Sequence, residues 1–297
     1  MANLRDIRRR IKSVKSTAQI TRAMQLVAAA KMKKAQDQAI AGRDYASQLN
    51  QVLVNLKNNV EEESHPLLQI RKGNKELMLV VSTDKGLCGA LNTNLFKKVR
   101  AASGTETHYV TVGRKLRGTL SKMGKEMVAD FTVKDPVPFS EARPISKFLI
   151  KQFLEEGYDK ISIAFNNFVT VMNQEPTVIQ LLPLSGKQLG EKHDFEGVGN
   201  HVAETNASAA VSKDYAFEPS PMEVLDSLLP LYINFQVYQT LVEARASEHS
   251  ARMVAMKAAT DNAKKFIKEL TLEYNKARQA AITSELLEIT TAMKAME

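Results

Sequence analysis

The sequence has no tryptophan, a single cysteine, and few residues that break helices. One cysteine excludes an intramolecular disulfide and suits a reducing compartment. No apolar run reaches the roughly 18 residues that a membrane-spanning helix needs, so we expect no direct membrane insertion. Proline and glycine are both missing from residues 232–297, and Gly42 is the only one of either between residues 3 and 60. Both ends of the chain are therefore predicted to be very long helices.

These two helices are too long for one compact domain to bury. At a rise of about 1.5 Å per residue, they would reach roughly 85 Å and roughly 100 Å. A globular domain of the whole chain's length would be only about 45 Å across. We therefore expect both helices to protrude as a shaft and to pack against each other. Because a middle domain joins them, they would lie antiparallel.

The N-terminal helix has the alternating three- and four-residue spacing of a coiled coil. Only Thr21, Gln25 and Gly42 interrupt its apolar series, and a 3.5-residue period predicts a left-handed supercoil. The series, called here the α1 seam, is Leu4, Ile7, Ile11, Val14, Ala18, Thr21, Gln25, Ala28, Met32, Ala35, Ala39, Gly42, Ala46, Leu49, Leu53, Leu56 and Val60.

The C-terminal helix carries two shorter apolar series that are offset by one residue. A straight helix drifts in this way against a heptad repeat. Alternatively, the last turns extend beyond the partner helix and present apolar side chains to a surrounding protein. The first series is Ala263, Ile267, Leu270, Tyr274, Ala277 and Ala281, and the second is Ile282, Leu286, Ile289, Met293 and Met296.

The positive charge is concentrated at one end of the chain. Residues 1–45 contain eleven Lys or Arg against three Asp, which accounts for the whole net charge of +8. An excess of this size on one helix predicts a partner with acidic character.

The middle of the chain alternates between short strands and helices. Strands are predicted at 77–82, 108–112, 126–133, 160–165 and 177–182, and helices at 94–102, 114–123 and 141–156. This order predicts a mostly parallel sheet covered by helices on both faces. The expected fold is α/β plus a long antiparallel coiled coil. Its parts are an N-terminal helix at 1–62, a central α/β domain at 63–218 with a loop-rich segment at 185–221, and a C-terminal helix at 219–297.

No catalytic, cofactor or metal site is predicted. The turn after the first strand has Gly86 and Gly89 without the G-x-G-x-x-G spacing, and Gly186 belongs to no P-loop. We interpret the first two glycines as allowing a tight turn. Cys88 is interpreted as a buried small side chain. The five histidines have no metal-ligand spacing and are interpreted as surface or satisfied residues.

Three segments resemble the gamma subunit of rotary ATP synthases, in the same order. They are LRDIRRRIKSVKSTAQITRAMQLVAAAKMKKAQ at 4–36, DKGLCGALNTNL at 84–95 and SEHSARMVAMKAATDNAKKFIKELTLEYNKARQAAITSELLEI at 247–289. The resemblance covers both ends and the central domain, and it weakens between about residues 185 and 215. Lys85 stands where the family more usually has Arg. The paired-cysteine regulatory insert of chloroplast members has no counterpart.

The resemblance implies a non-catalytic rotor subunit that needs no cofactor. In the family, the coiled coil turns inside a ring of alternating alpha and beta subunits, and the α/β domain lies near the epsilon subunit and the c ring. Proton flow turns the c ring and the shaft, which drives each catalytic beta subunit through its states. The implied partners are the alpha, beta, epsilon and delta subunits and the c ring, at the cytoplasmic face of a bacterial inner membrane.

The resemblance also implies individual contacts. Contacts with the beta subunits are expected at Arg278, Gln279, Thr283, Met24, Arg8, Arg9 and Lys31, and contacts with the c ring or epsilon at Tyr215 and Glu218. Two rival functions remain open: a nucleotide-binding α/β protein, and a nucleic-acid-binding basic coiled coil. The first lacks phosphate motifs, and the second lacks interleaved aromatic residues and has only one basic helix.

Overall fold

The computed structural model describes residues 4–42, 45, 48–49, 52–53, 65–71, 73–184, 218 and 220–296. The chain divides into two compact units, Met1–Ala28 with Met253–Glu297, and Ala29–Arg252. Helices α1 (Leu4–Ala41) and α5 (Pro221–Met296) contribute residues to both units. No helix in the described ranges is long and apolar enough to cross a membrane. The predicted domain limits at residues 62 and 219 stay predictions.

In the first unit, α1 packs on α5 along the predicted seam. Ile7, Thr21 and Ala28 are buried on α1, and Ala263 and Leu270 are buried on α5. Every α1 seam residue from 4 to 28 is buried or half-buried, which is the expected result of a 3.5-residue apolar repeat. The prediction of two long terminal helices in contact is confirmed.

Two polar contacts show that these helices run antiparallel. Arg8 donates a hydrogen bond to the Tyr274 hydroxyl, and the Thr21 and Thr260 hydroxyl oxygens are 2.7 Å apart. Between the two contacts the numbering rises by 13 on α1, from 8 to 21, and falls by 14 on α5, from 274 to 260. Continuing this register places Leu4 opposite residue 278. The turns of α5 after that point lie beyond the described part of α1.

The second unit contains a five-stranded sheet. Its strands are β1 (Glu76–Val81), β2 (Thr107–Val112), β3 (Met127–Phe131), β4 (Lys160–Phe168) and β5 (Gln174–Leu182), in the order β3-β2-β1-β4-β5. The first four are parallel, and β5 is antiparallel to β4. A short turn joins β4 to β5, which suits a hairpin and leaves no room for a crossover helix. The mostly parallel sheet is confirmed, with one antiparallel edge strand.

Helices cover both faces of this sheet, as the alternation of elements predicts. The connecting helices are α2 (Leu91–Ala102), α3 (Arg114–Lys122) and α4 (Phe139–Glu155). Alternate side chains of a strand point to opposite faces. Accordingly, Leu77 and Leu79 join a core with residues of α1, α4 and α5, whereas Met78 and Val80 join a core with residues of α2 and α3.

The start of α5 is capped by local sequence. The Ser220 hydroxyl oxygen accepts a hydrogen bond from the Glu223 backbone N–H (3.3 Å) and lies 3.4 Å from the Glu223 carboxylate. This is the N-cap half of a capping box, with the Glu223 carboxylate meeting the Ser220 hydroxyl instead of a backbone N–H. Pro221 occupies the first helical position, where a missing N–H costs little. Pro230 lies inside the helix.

His65 fastens the turn that precedes β1 to the first turns of α5. Its Nε2 is 2.9 Å from the Asp226 carboxylate, and its Nδ1 accepts the Leu67 backbone N–H at 3.1 Å. Burial lowers the pKa of His65, and the nearby Asp226 carboxylate only partly opposes this effect. Since Nδ1 is used as an acceptor, a second proton would break that bond.

Candidate functional site

The end of α5 presents apolar side chains to solvent. Leu286, Leu287, Ile289 and Met293 are between 57% and 66% exposed. They lie after residue 278, where the antiparallel register has passed the described part of α1. Exposed apolar side chains in one segment mark an interaction surface. This geometry agrees with the alternative that the last turns extend beyond the partner helix.

Three of the expected contact residues lie next to this apolar segment. Arg278, Gln279 and Thr283 are all exposed. Residues 279 and 283 share one face of α5 because they are four apart. The Thr283 hydroxyl donates to the Gln279 carbonyl oxygen (2.9 Å), so this hydroxyl is used within the helix. The Arg278 and Gln279 side chains face outwards.

The expected contact residues on α1 lie in different surroundings. Met24 is half-buried, as expected for a residue beside the seam. Arg8 bonds the Tyr274 hydroxyl, and its guanidinium lies 5.5 Å from that ring's centroid. Arg9 forms an exposed ion pair with Asp6 (3.0 Å). Arg8 therefore helps to join α1 to α5. Its position in the basic run at residues 8–10 does not predict this contact.

The remaining expected contacts lie elsewhere. Lys31 pairs with Asp135 in the segment between β3 and α4, at 2.7 Å, and its side chain is 47% exposed. Glu218 is described and exposed. Tyr215 lies outside the described residues. The structure therefore gathers Arg278, Gln279 and Thr283 on one segment and leaves the other expected contacts on separate surfaces.

Within the second unit, α5 covers the carboxyl ends of the parallel strands. This edge is where open α/β sheets bind ligands. The cavity there has a volume of about 10 Å³, and its lining includes Val81, Val112, Arg245 and Glu248. Small-molecule pockets usually measure about 300–1,000 Å³. Side chains of α5 fill the space that a nucleotide would need, which argues against the nucleotide-binding rival.

Arg245 occupies the centre of this edge. Its guanidinium donates to Asp84 (3.0 Å), to Glu248 (2.8 Å) and to the Val133 carbonyl oxygen (2.9 Å). Burial alone would lower the pKa of Arg245, but the Glu248 and Asp84 carboxylates raise it above its usual value. Glu248 also accepts from Arg252 at 2.7 Å. Asp84 thus pairs with a distant arginine on α5.

The glycine-bearing turn after β1 is closed by its own hydrogen bonds. Gly89 has a φ of +59°, a left-handed conformation that favours glycine. The Asn92 side-chain amide donates to the Thr83 hydroxyl at 2.7 Å. Cys88 is 3% exposed, as predicted for a small buried side chain. The interpretation as a tight turn is confirmed for Gly89, whereas Gly86 has no left-handed φ and a Cβ there would make only an ordinary 3.7 Å contact with the Lys115 side chain.

The sequence did not single out the buried ionic residues Arg245, Glu248 and His249. Their one signal is a dense run of charged and small residues, ARASEHSAR at 244–252, inside the stretch 232–297 that has no proline or glycine. Its residues 244–251 are all buried. A heptad repeat cannot produce burial on all sides, because it leaves a polar face in solvent. Such a run indicates a helix surrounded by other elements.

Comparisons with known proteins agree on one family. A family model described as ATP synthase matches residues 3–296. The chain is 50% identical over 297 residues to the ATP synthase gamma chain of Akkermansia muciniphila, covering 100% of both chains. It is 48% identical over 292 residues to that of Opitutus terrae, covering 98% of both.

Solved structures share the fold. The chain is similar to one in the cryo-EM structure of the Euglena gracilis mitochondrial ATP synthase, OSCP/F1/c-ring, in rotational state 3. The TM-score is 0.69 at 20% identity, over 99% of this chain and 94% of that chain. A central stalk/c-ring structure from Tetrahymena thermophila gives a TM-score of 0.58 at 24% identity, over 81% of this chain and 99% of that chain.

Proposed function

The chain belongs to the family of ATP synthase gamma chains, non-catalytic rotor components of the central stalk, and we propose that it couples a proton-driven membrane ring to catalysis at the beta subunits. Its proposed partners are the alpha, beta, epsilon and delta subunits and the c ring. It would lie peripherally at the cytoplasmic face of a bacterial inner membrane. Gamma would turn without binding nucleotide, and would drive synthesis or hydrolysis of ATP through its contacts.

The proposal rests on the exposed apolar end of α5. Burying a Leu, Ile or Met side chain stabilises a protein by about 1.5–3 kcal/mol, so four such residues in solvent favour a surrounding partner. Leu286, Leu287, Ile289 and Met293 lie past residue 278, where the register has passed the described part of α1. A ring of alpha and beta subunits around this segment would enclose it on all sides.

Rotation would couple to catalysis because the coiled coil is asymmetric. One chain inside a ring of three beta subunits presents a different surface to each of them. A surface that binds one conformation of a subunit better shifts that subunit towards it. The basic α1 would attract acidic loops of the ring, with Arg9 and Lys31 as partly exposed cations. Arg278, Gln279 and Thr283 would hold a loop beside the apolar end.

Reconstitution tests the function directly. The full chain is mixed with purified alpha and beta subunits, and ATPase activity is measured with and without it. We expect the chain to raise the activity, because the ring requires an asymmetric centre. No increase would refute the proposal. Binding to generic DNA that weakens steeply with salt would instead favour the nucleic-acid rival. Tight nucleotide binding by the isolated chain would favour the other rival.

The contact residues are tested in the assembled complex. Arg278→Ala, Gln279→Ala and Thr283→Ala should each lower turnover, while the isolated chain keeps its stability within roughly 0.5 kcal/mol, as expected for exposed positions. Lys257→Ala, at an exposed position of the same helix, is the control. Unchanged turnover in all three variants would contradict the proposed contacts.

The half-buried Met24 gives a complementary test. Met24→Lys adds a cation to the basic helix, and a new ion pair with acidic ring loops would have to break in each turn. We expect the ratio of proton pumping to ATP hydrolysis to fall. An unchanged ratio with normal assembly would mean that this side chain faces away from the ring.

The ring-facing end is proposed to include Tyr215 and Glu218. Glu218 is exposed and precedes the capped start of α5. Cysteines placed at residues 215 and 218 should form crosslinks with cysteines in the polar loops of the c ring or with epsilon. Crosslinks only to alpha or beta would show that the proposed orientation is inverted.

A further inference from the structure

The segment 133–137, between β3 and α4, contacts both terminal helices at alternate residues. From α5, Arg245 donates to the Val133 carbonyl oxygen at 2.9 Å. From α1, the Gln38 side-chain amide donates to the Val137 carbonyl oxygen at 3.2 Å. Val133 and Val137 are themselves buried, at 4% and 1% exposure. The segment is therefore fixed at both ends, once by each helix.

Asp135 lies between these two contacts and serves both helices with one oxygen. Its Oδ2 is 2.7 Å from Lys31 Nζ on α1 and 3.1 Å from His249 Nε2 on α5. Arg252 Nη1 lies 3.3 Å from His249 Nδ1. Because a guanidinium only donates, Nδ1 accepts and the ring proton lies on Nε2, towards Asp135. The Nε2–H of His249 is not well aligned with Oδ2 of Asp135, so the contact between these two residues is mainly electrostatic.

The charges around this carboxylate favour its ionised form. His249 is the largest influence that lowers the pKa of Asp135, burial opposes it, and Lys31 lowers the pKa further, so the pKa lies well below its usual range. Asp135 is therefore a fixed negative charge that faces the Lys31 cation on α1 and the Nε2–H group of His249 on α5. The Asp135 side chain is 26% exposed, whereas the facing His249 side chain is only 4% exposed, and Asn at position 135 keeps a carbonyl oxygen as an acceptor for it.

We propose that Asp135 is a positioning residue that fixes α1 and α5 to the sheet, so that sheet and helices turn together; this rests on the proposed rotor function. Apolar contacts in the same core are non-directional, so they distinguish less sharply between neighbouring axial positions or rotations of a helix. The 2.7 Å charge-assisted contact with Lys31 is short and directional, and the 3.1 Å contact with His249 adds an electrostatic attraction from α5. A single carboxylate shared by both helices resists their separation from the sheet as well as their movement past each other.

The same domain offers a matched control. Asp130 on β3 has a side chain that is 29% exposed, and it pairs with Arg117 on α3 at 2.8 Å. It also accepts from the Thr111 hydroxyl at 2.8 Å. Asp130 therefore resembles Asp135 in charge, exposure and cationic partner. Its contacts, however, stay within the sheet and its connecting helices.

The test uses the complete ATP synthase in membrane vesicles. ATP-driven proton pumping and ATP hydrolysis are measured for the wild type, Asp135→Asn, Lys31→Gln, their double variant and Asp130→Asn. We expect Asp135→Asn to lower the ratio of pumping to hydrolysis at least about twofold. This is the lower end of the effects of mutating residues that couple distant sites. Lys31→Gln should have a smaller effect in the Asp135→Asn background than in the wild type, because both changes remove the shared Lys31–Asp135 contact; the effect that remains measures the proposed contact between Lys31 and the ring. Asp130→Asn should keep the wild-type ratio.

Stability is measured beside coupling to separate the two roles. Both Asp135→Asn and Asp130→Asn should lower the melting temperature of the isolated chain, Asp135→Asn by more, because it faces His249 (4% exposed) whereas Arg117 beside Asp130 is 52% exposed; pumping and hydrolysis are therefore compared at a temperature at which both variants are folded. A ratio for Asp135→Asn equal to that of Asp130→Asn would overturn the proposal. If Asp135→Asn does not assemble, His249→Asn decides by the same criterion, because it removes the α5 contact of Asp135 at a buried residue that is not among the proposed ring contacts. A wild-type chain that fails to restore pumping would instead refute the proposed function.

Discussion

Arg245→Met tests whether the buried charges at the sheet edge hold α5 in place. The methionine keeps much of the apolar volume of the arginine stem and removes all three donated hydrogen bonds. Glu248 keeps Arg252 as a partner at 2.7 Å, whereas Asp84 loses the Arg245 guanidinium, 3.0 Å away. Asp84 is the group that decides the cost, because its side chain is only 18% exposed.

The magnitude follows from this uneven loss. Removing one partner of a buried ion pair costs about 3–5 kcal/mol. Glu248 stays paired and Asp84 keeps some contact with water, so we expect the lower end, about 3 kcal/mol. At about 2–4 °C per kcal/mol for a unit of this size, the melting temperature should fall by about 6–12 °C. Differential scanning calorimetry of the full chain measures this shift.

Two further variants identify the cause. Asp84→Asn combined with Arg245→Met removes the uncompensated charge, so the double variant should be less destabilised than the sum of the single variants, by about 0.5–3 kcal/mol. Lys151→Met removes an exposed pair with Glu155, whose side chains are 60% and 62% exposed, and should have almost no effect. A cost below about 1 kcal/mol for Arg245→Met, or strictly additive costs, would refute the reasoning.

Further variants test three local features of the fold. Gly113→Ala should destabilise the chain by about 1–3 kcal/mol, because φ is +91° and a Cβ would lie 2.3 Å from the Ser82 carbonyl oxygen. Gly118→Ala, in an open part of α3, should instead stabilise the chain by about 0.5–1 kcal/mol. Because the pKa of His65 is lowered in the folded chain, the unfolded chain binds more protons than the folded chain as the pH falls below about 6.5. The free energy of unfolding should therefore be highest above about pH 6.5 and should decrease as the pH drops towards the folded-state pKa. His65→Asn should reduce the difference in urea midpoint between about pH 7.5 and about pH 5.5, and an unchanged difference would exclude this histidine as the cause. Thr21→Val should lower the free energy of unfolding by about 1 kcal/mol, because it removes the 2.7 Å hydroxyl contact with Thr260. Replacing both Thr21 and Thr260 by Val should be nearly neutral, and additive losses would contradict this account.

The sequence predicted those parts of the structure that depend on periodicity. The α1 seam and the alternation of strands and helices follow from side chains three to four, or two, residues apart, and these local spacings need no knowledge of the partner. The antiparallel pairing of β5 was not predicted, because strand direction depends on the length of a connection whose end is uncertain in sequence. The Asp135 contacts join residues more than a hundred positions apart, and no local pattern encodes them.

Buried charges also solve a problem that apolar packing leaves open for a helix as long as α5. Apolar residues recur at intervals of about one turn, so moving α5 by one turn would replace each with another of similar kind. The ionic residues do not recur in this way. A one-turn shift would bring Leu241 or His249 to the position of Arg245 and leave Asp84 without its cation, at a cost of several kcal/mol. The ion pairs therefore define one axial position and one rotation of α5 against the sheet, which a rotor needs if its orientation carries information. The apolar residues concerned are Leu229, Ile233, Val237 and Leu241.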